Sequence, residues 1–219
     1  MAVKALINAA IDSSRKARMK RAKDQGYDIG FLHGSPTLKE SDSVNLDHPP
    51  RTDSGYLGKA LYGTESPFIA KSYADPMGSG PSGGVLELKT RAKKFKDFVY
   101  DENYKKTIAD FGESIGVRAE PHSQEWATEF SSKMQANGYE GSRGLTVDGG
   151  VVEIAVYDPQ NIRSVNAQFD PAKRNSSKLL ASAMGVGVLG TAALTPQEAE
   201  AGPLRQLFRV VNIDNAGRI

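Results

Sequence analysis

The chain has 219 residues, of which 39% are hydrophobic and 25% are charged, and its formal net charge at neutral pH is +2. This composition is typical of a folded protein rather than a disordered one, and the length allows one domain with appendages or two small domains. Cysteine is absent, which excludes a disulfide framework, a thiolate zinc site and a cysteine nucleophile.

The first 25 residues form a basic segment. Seven Lys or Arg residues stand against two Asp, so the segment carries a net charge of +5. It contains no proline or glycine, and Ser13 or Ser14 can cap a helix within it. The simpler interpretation is a solvated helical extension. The alternative is a basic face that binds nucleic acid or another anionic partner.

A short strand is predicted in the sequence DIGFLHGS at residues 28–35, because apolar residues precede the chain-breaking Gly-Ser-Pro. His33 then lies at the end of the strand. It stands beside Gly34, which lets the backbone approach a ligand closely. Taken alone, His33 is better explained as a surface histidine next to a turn. Residues 39–54 are rich in Asp, Ser and Pro and are predicted to form a loop.

The next predicted elements are a strand and a helix. Ala60–Tyr62 has strand character, and Ser66 can cap a helix that Pro67 opens. A strand that packs under its following helix can bring Tyr62 face to face with Tyr73, late in that helix. Two parallel rings form a slot for a flat heteroaromatic group. The alternative is that both tyrosines pack in the core.

Two further elements are predicted in the middle of the chain. Val85–Lys89 alternates as a strand does, and residues 123–137 have the periodicity of an amphipathic helix that ends at Gly138. This helix carries an apolar stripe that we assign to the core rather than to a cofactor site, namely Trp126, Phe130 and Met134.

The sequence VVEIAVY at residues 151–157 predicts an apolar strand that carries a carboxylate. Alternation places Val151, Glu153, Ala155 and Tyr157 on one face. Carboxylates are seldom buried in apolar strands, so Glu153 requires a structural explanation. Glu153 is either half exposed at a sheet edge or faces a cleft as an electrostatic group.

Beyond residue 174 the composition changes. Residues 166–177 have the character of a linker, so we predict a domain boundary near residue 175 and a folded domain after truncation at Ser176. Residues 179–194 are sixteen uncharged residues. At about 1.5 Å per residue they fall short of a hydrocarbon core of roughly 30 Å. A packed helix, a membrane-active segment and a remnant of a longer protein are alternatives. We favour a segment that leaves the domain and contacts a membrane or a partner.

Four motifs occur in order along the chain: LHGS at 32–35, GYLGKALYGTESPFIAKSYA at 55–74, GYEG at 138–141 and VVEIAVYDPQNIRSVNAQFDP at 151–171. Their residues and spacing resemble the ADP-ribosyltransferase superfamily, in the branch with a His-Tyr-Glu signature. They look most similar to versions from bacteriophages and mobile elements. The resemblance extends from about Arg15 to Pro171.

The resemblance implies a role around NAD for each matching residue. His33 binds a ribose hydroxyl, and the backbone of Gly34 holds the nicotinamide carboxamide. Tyr62 and Tyr73 sandwich the nicotinamide. Glu153 binds the 2′-hydroxyl of the nicotinamide ribose and stabilises positive charge at the anomeric carbon. The implied catalytic residues are Glu153, Tyr62 and His33, and the implied NAD contacts are His33, Gly34, Ser35, Tyr62, Thr64 and Tyr73.

Two features depart from the family pattern. The residue two positions before Glu153 is Val151, where arginine-modifying relatives carry an acidic or amide residue, so an arginine target is disfavoured. The glycine-rich segment before the tyrosine also fits the family motif poorly, because Gly58 is followed by Lys-Ala-Leu before Tyr62.

The expected fold is therefore α+β, with two small antiparallel sheets flanking an NAD cleft in residues 26–174. A basic helical extension at 1–25 precedes this domain, and a linker and apolar tail at 175–219 follow it. The expected activity is transfer of ADP-ribose from NAD, without a metal, to a macromolecular acceptor.

We expect a phage or mobile-element effector that is delivered from a virion and modifies a host protein in the host cytoplasm. Nucleic acid is a further expected partner through the basic N-terminus, and a membrane through residues 179–194. The alternatives are a non-catalytic structural or virion-associated module with the same fold, and an NAD glycohydrolase that uses water as the acceptor.

Overall fold

The computed structural model describes residues 14–40, 42–46, 55–75 and 83–181. These residues belong to one compact unit that spans residues 1–183. Most of the apolar segment predicted at 179–194 lies outside the described residues, as does the start of the basic segment. Among the described helices, none is long and apolar enough to cross a membrane.

The described part of the chain is α+β, as predicted. Helices and strands interleave along it, with a long helical stretch between the fourth and fifth strands. In chain order they are α1 (Arg15–Asp24), β1 (Ile29–Ser35), β2 (Leu61–Gly63), α2 (Pro67–Ala74), β3 (Gly84–Thr90), β4 (Phe95–Val99), α3 (Tyr104–Ser114), α4 (Gln124–Ala136), β5 (Gly141–Leu145), β6 (Val151–Val156) and β7 (Ile162–Ser164).

The strands form a three-stranded sheet in the order β1-β3-β7 and a four-stranded sheet in the order β2-β6-β5-β4. The first is antiparallel throughout, but β4 and β5 pair in parallel, so the prediction of two antiparallel sheets is wrong for the second sheet. The reason is the long connection through α3 and α4. It is long enough to carry the chain from the C-terminal end of β4 back to the end of the sheet at which β4 begins, so that β5 runs in the same direction.

Two apolar clusters cover the two faces of β6. Ala155 and Tyr157 belong to a cluster with residues of α3 and α4, including the buried stripe Trp126, Phe130 and Met134. Ile154 and Val156 belong to a second cluster, with residues of β1 and β3. The stripe is therefore core, as predicted, and the alternation predicted for residues 154–157 is confirmed.

Val151 departs from that alternation. It pairs with Leu145 and packs against the cluster of Ile154 and Val156, not on the face of Glu153. A register shift between Gly144 and Leu145 inserts one extra residue into β6, and such a bulge reverses the side chains that precede it. The prediction that Val151 shares the face of Glu153 is therefore wrong.

The C-terminal part of α1 is docked onto the domain. Ser14 caps the helix through the backbone amide of Ala17. At its other end the Arg21 and Gln25 side chains donate to the backbone carbonyls of residues 168 and 169. A small buried cluster lies beneath this end, formed by Ala22, Tyr27, Ala167 and Phe169. The basic extension is thus partly anchored and leaves its exposed lysines and arginines on the surface.

The domain also extends beyond the boundary predicted near residue 175. Leu179 is fully buried in the same cluster as Ile154. Its backbone amide donates to the carbonyl of Asp42, and its carbonyl accepts from the amide of Ser164. Ala181 is buried as well. The first residues of the predicted tail therefore help to close the core.

Candidate functional site

The two sheets meet at one junction. Leu32 of β1 and Thr64, just after β2, exchange both of their backbone hydrogen bonds, at 2.8 and 2.9 Å. On the other side of β2, Tyr62 lies opposite Ala155 of β6. Glu153 is two residues before Ala155 and shares its face of the strand. The junction thus brings β1, the tyrosine strand and the carboxylate strand together.

His33 follows this junction by one residue. Its Nδ1 lies 2.6 Å from the backbone carbonyl oxygen of Tyr62. A carbonyl only accepts hydrogen bonds, so this contact assigns the proton to Nδ1 and leaves Nε2 as an acceptor. Burial lowers the pKa of His33, although the bond to the Tyr62 carbonyl opposes this effect. The imidazole is therefore neutral at neutral pH.

The hydroxyl of Tyr62 is fixed by the glycine-rich loop that precedes β2. It donates to the carbonyl of Gly58 at 2.6 Å and accepts from the amide of Leu57 at 3.1 Å. Gly58 has a φ of +95°, and a Cβ there would lie 3.0 Å from the ring of Phe130. The loop therefore requires glycine at this position, and it holds the Tyr62 ring in one place.

Helix α2 packs against β1 and carries Tyr73. Ser66 caps the helix, as predicted, through the amide of Ile69. The helix passes so close to Gly34 that a Cβ there would collide with the carbonyl of Ala70. Gly34 is thus needed for the approach of a helix backbone rather than of a ligand. Tyr73 lies in the last turn and is 43% exposed.

Glu153 contacts a residue that the sequence analysis missed. The hydroxyl of Tyr104, the first residue of α3, lies 3.4 Å from Glu153 Oε2. Burial and then the charge of Glu153 raise the pKa of Tyr104 far above its ordinary value, so the phenol stays protonated and donates to the carboxylate. A Cβ at Gly144, opposite Glu153 in β5, would lie 2.5 Å from this hydroxyl. The glycine inside β5 was the sequence signal of this close approach.

The hydroxyls of Ser35 and Thr64, two of the predicted NAD contacts, accept hydrogen bonds from backbone amides at turns of the chain. Ser35 Oγ accepts from the amides of Thr37 and Leu38, where the chain leaves β1. Thr64 Oγ1 accepts from the amide of Ser66 at the entry to α2. These bonds set the direction of the chain at the junction and so help to place His33 and Tyr73.

The junction thus carries a neutral imidazole whose Nε2 can accept a hydrogen bond, a tyrosine ring anchored by its hydroxyl and a carboxylate that accepts from a buried phenol. The sequence matches no model of a known protein family, and no curated protein matches it significantly. A function is therefore inferred from the geometry of this site and from the motifs that it contains.

Proposed function

We propose that this protein is an ADP-ribosyltransferase that uses NAD as the donor, with the site formed by His33, Tyr62, Tyr73 and Glu153. The observation that carries the proposal is the junction of the two sheets. There the bond from His33 to the Tyr62 carbonyl joins β1 to β2. Glu153 lies on the neighbouring strand β6, on the same face as Ala155, the residue that pairs with Tyr62.

The chemistry follows from the charge that develops during cleavage. When the bond between the ribose and nicotinamide breaks, its electron pair goes to the pyridinium nitrogen, and positive charge grows at the anomeric carbon. A preorganised carboxylate at Glu153 stabilises this charge more strongly in the transition state than in bound NAD. Nicotinamide already leaves as a neutral molecule, so no acid is required to expel it.

The other residues bind and orient NAD. His33 accepts a hydrogen bond from a ribose hydroxyl through Nε2, and the rings of Tyr62 and Tyr73 hold the nicotinamide ring between them. A nucleophile of the acceptor then forms a bond to the anomeric carbon and loses its proton to solvent. We propose a host protein as the acceptor and a phage or mobile element as the source of the chain.

Incubation of the full chain with NAD labelled in its adenylate half tests the proposal. Nicotinamide release and label in macromolecules are measured with and without cell lysate. Transfer of label that requires lysate supports the transferase. Release without lysate, with free ADP-ribose as the product, identifies a glycohydrolase instead. Release in neither sample supports a non-catalytic module and contradicts the proposal.

A further inference from the structure

A second polar surface lies away from the junction. It is a depression of about 570 Å³ whose lining includes Gln25, Arg91, Asn161 and Arg174. It lies beyond the N-terminal end of β1. His33 is four residues into that strand, so about 13 Å along β1 separates its start from the NAD site proposed above. Any ligand of this depression is independent of that function.

Arg91 and Arg174 line this depression, and Arg91 lies with the buried Arg163 against the ring of Tyr27. The guanidinium carbons of Arg91 and Arg163 lie 5.6 and 5.7 Å from the ring centroid. Burial raises the pKa of the Tyr27 phenol, against the opposing charges of Arg163, Arg91 and Arg174. The cations therefore lie close enough to act on one buried group.

The side chains of Arg91 and Arg163 are held in place by neutral groups. Arg91 Nε donates to Asn161 Oδ1 at 2.8 Å. Arg163 is 2% exposed and donates only to backbone carbonyls, two of which belong to Lys173 and Arg174. Within the described residues, none of the three arginines forms an ion pair. The positive charges of Arg91 and Arg163 are thus preorganised, and within the described residues no contacting carboxylate neutralises any of the three.

Among the described residues, three acidic groups lie nearby, and one of them, Asp158, acts on Tyr27 and Arg163 and accepts from the backbone amide of Gln160. Asp28 pairs with Lys93 at the rim. Glu140, which also lines the depression, accepts from the backbone amides of Lys93 and Lys94. The lining carries three cations and one carboxylate, and the Asp28 partner of Lys93 brings the net charge to +1. A guanidinium with its Nε fixed presents its remaining N–H donors as a planar fork, which matches phosphate oxygens.

The positive charge continues along α1, which ends next to Gln25. Six of its ten residues are basic and one is acidic. A string of cations that leads into an open depression matches a polymer of phosphates better than one small anion. We propose that this surface binds the phosphate backbone of a nucleic acid, with Arg91 and Arg174 as direct contacts.

Fluorescence anisotropy of a short labelled DNA duplex, titrated with the full chain over a range of salt concentrations, tests this. The double variant Arg91→Ala/Arg174→Ala is compared with Arg118→Ala/Lys133→Ala, which removes the same charge from a distant surface. The first should weaken binding at least about tenfold and lower the salt slope by about two, since each phosphate contact contributes about 0.9. The control should bind nearly as the wild type does.

The exposed single variant Arg174→Glu gives a second test that leaves the bond between Arg91 and Asn161 intact, and it should also weaken binding. Equal loss in both double variants contradicts a specific surface. Absence of DNA binding contradicts the proposal, and so does competition by inorganic phosphate as effective as that by unlabelled duplex. Binding to anionic lipid vesicles but not to DNA assigns the surface to a membrane and likewise overturns it.

Discussion

Three side chains of the proposed site have a defined hydrogen-bonding direction. His33 donates inward to a backbone carbonyl, and Tyr62 directs its hydroxyl into the glycine loop. Glu153 accepts from a phenol that is itself buried. These three side chains are therefore held by hydrogen bonds to the rest of the protein, which is the condition for electrostatic preorganisation.

Removal of the Tyr104 hydroxyl tests its role in positioning Glu153. Tyr104→Phe should lower kcat about fivefold, since one hydrogen bond contributes about 1 kcal/mol, and should leave the KM for NAD unchanged. Tyr157→Phe is the matched control, because its buried hydroxyl bonds Leu57 and Ser142 rather than Glu153. The control should lower the thermal midpoint without changing kcat. An unchanged kcat in Tyr104→Phe would rule out the positioning role.

The protonation state of His33 predicts how NAD binding depends on pH. Because its pKa in the folded protein is lowered from 6.5, the Nε2 acceptor persists from alkaline pH down to below 6.5. NAD affinity should be flat over that range and should fall as the pH drops through the lowered pKa. The stability contribution of the neutral imidazole is also lost as the pH falls below 6.5, since the unfolded chain then binds the proton first.

Calorimetric titration of NAD at several pH values measures this dependence. His33→Asn should abolish the fall in NAD affinity at acid pH, because it removes the titrating group. His122→Asn should preserve that fall, although the pKa of His122 is also lowered by burial. Affinity that rises on acidification would contradict the assigned tautomer.

The tyrosine slot is tested by separating affinity from stability. Tyr73→Ala should weaken NAD binding about twofold to tenfold, because one aromatic face is lost. Phe68→Ala on the same helix should not weaken it. Tyr62→Phe should lower the thermal midpoint, since the Leu57 amide and the Gly58 carbonyl both lose their partner. Unchanged affinity in folded Tyr73→Ala would remove Tyr73 from the site.

At the scale of the elements, the sequence correctly predicted the features that depend on residues close together in the chain. The cap at Ser66, the core stripe of α4 and the alternation of residues 154–157 are local signals, and the structure bears them out. The bulge before Glu153, the parallel pairing of β4 with β5 and the contact from Tyr104 depend on partners distant in sequence. No local pattern names such partners: Gly144 inside β5 signals a close approach, but not that Tyr104 makes it.

The C-terminal boundary gives a prediction at this scale. Leu179→Ala should lower the free energy of unfolding by about 2–5 kcal/mol, as for other buried leucines. Val147→Ala, in an exposed turn, should change it by less than about 0.5 kcal/mol. A chain that ends after Ser176 should unfold at a lower temperature than one that ends after Ala183. Equal midpoints for these two truncations would show that residues 177–183 are dispensable.

At the scale of the whole molecule, two sheets share one junction and are stabilised by separate clusters on the two faces of β6. The NAD site proposed here lies at the junction, and the arginine depression lies beyond the other end of β1. A nucleic acid bound at that depression would therefore leave the junction accessible. The two proposals can succeed or fail separately.

Nicotinamide release from NAD by the full chain, with cell lysate present, tests the central claim most directly. Glu153→Gln removes the charge of the carboxylate while keeping its shape, and Glu113→Gln on the exposed surface of α3 is the control. We expect release by the wild type and by Glu113→Gln, and a rate lower by about 100-fold or more in a folded Glu153→Gln protein. Absence of release by the wild type, or an equal rate in Glu153→Gln, would contradict it.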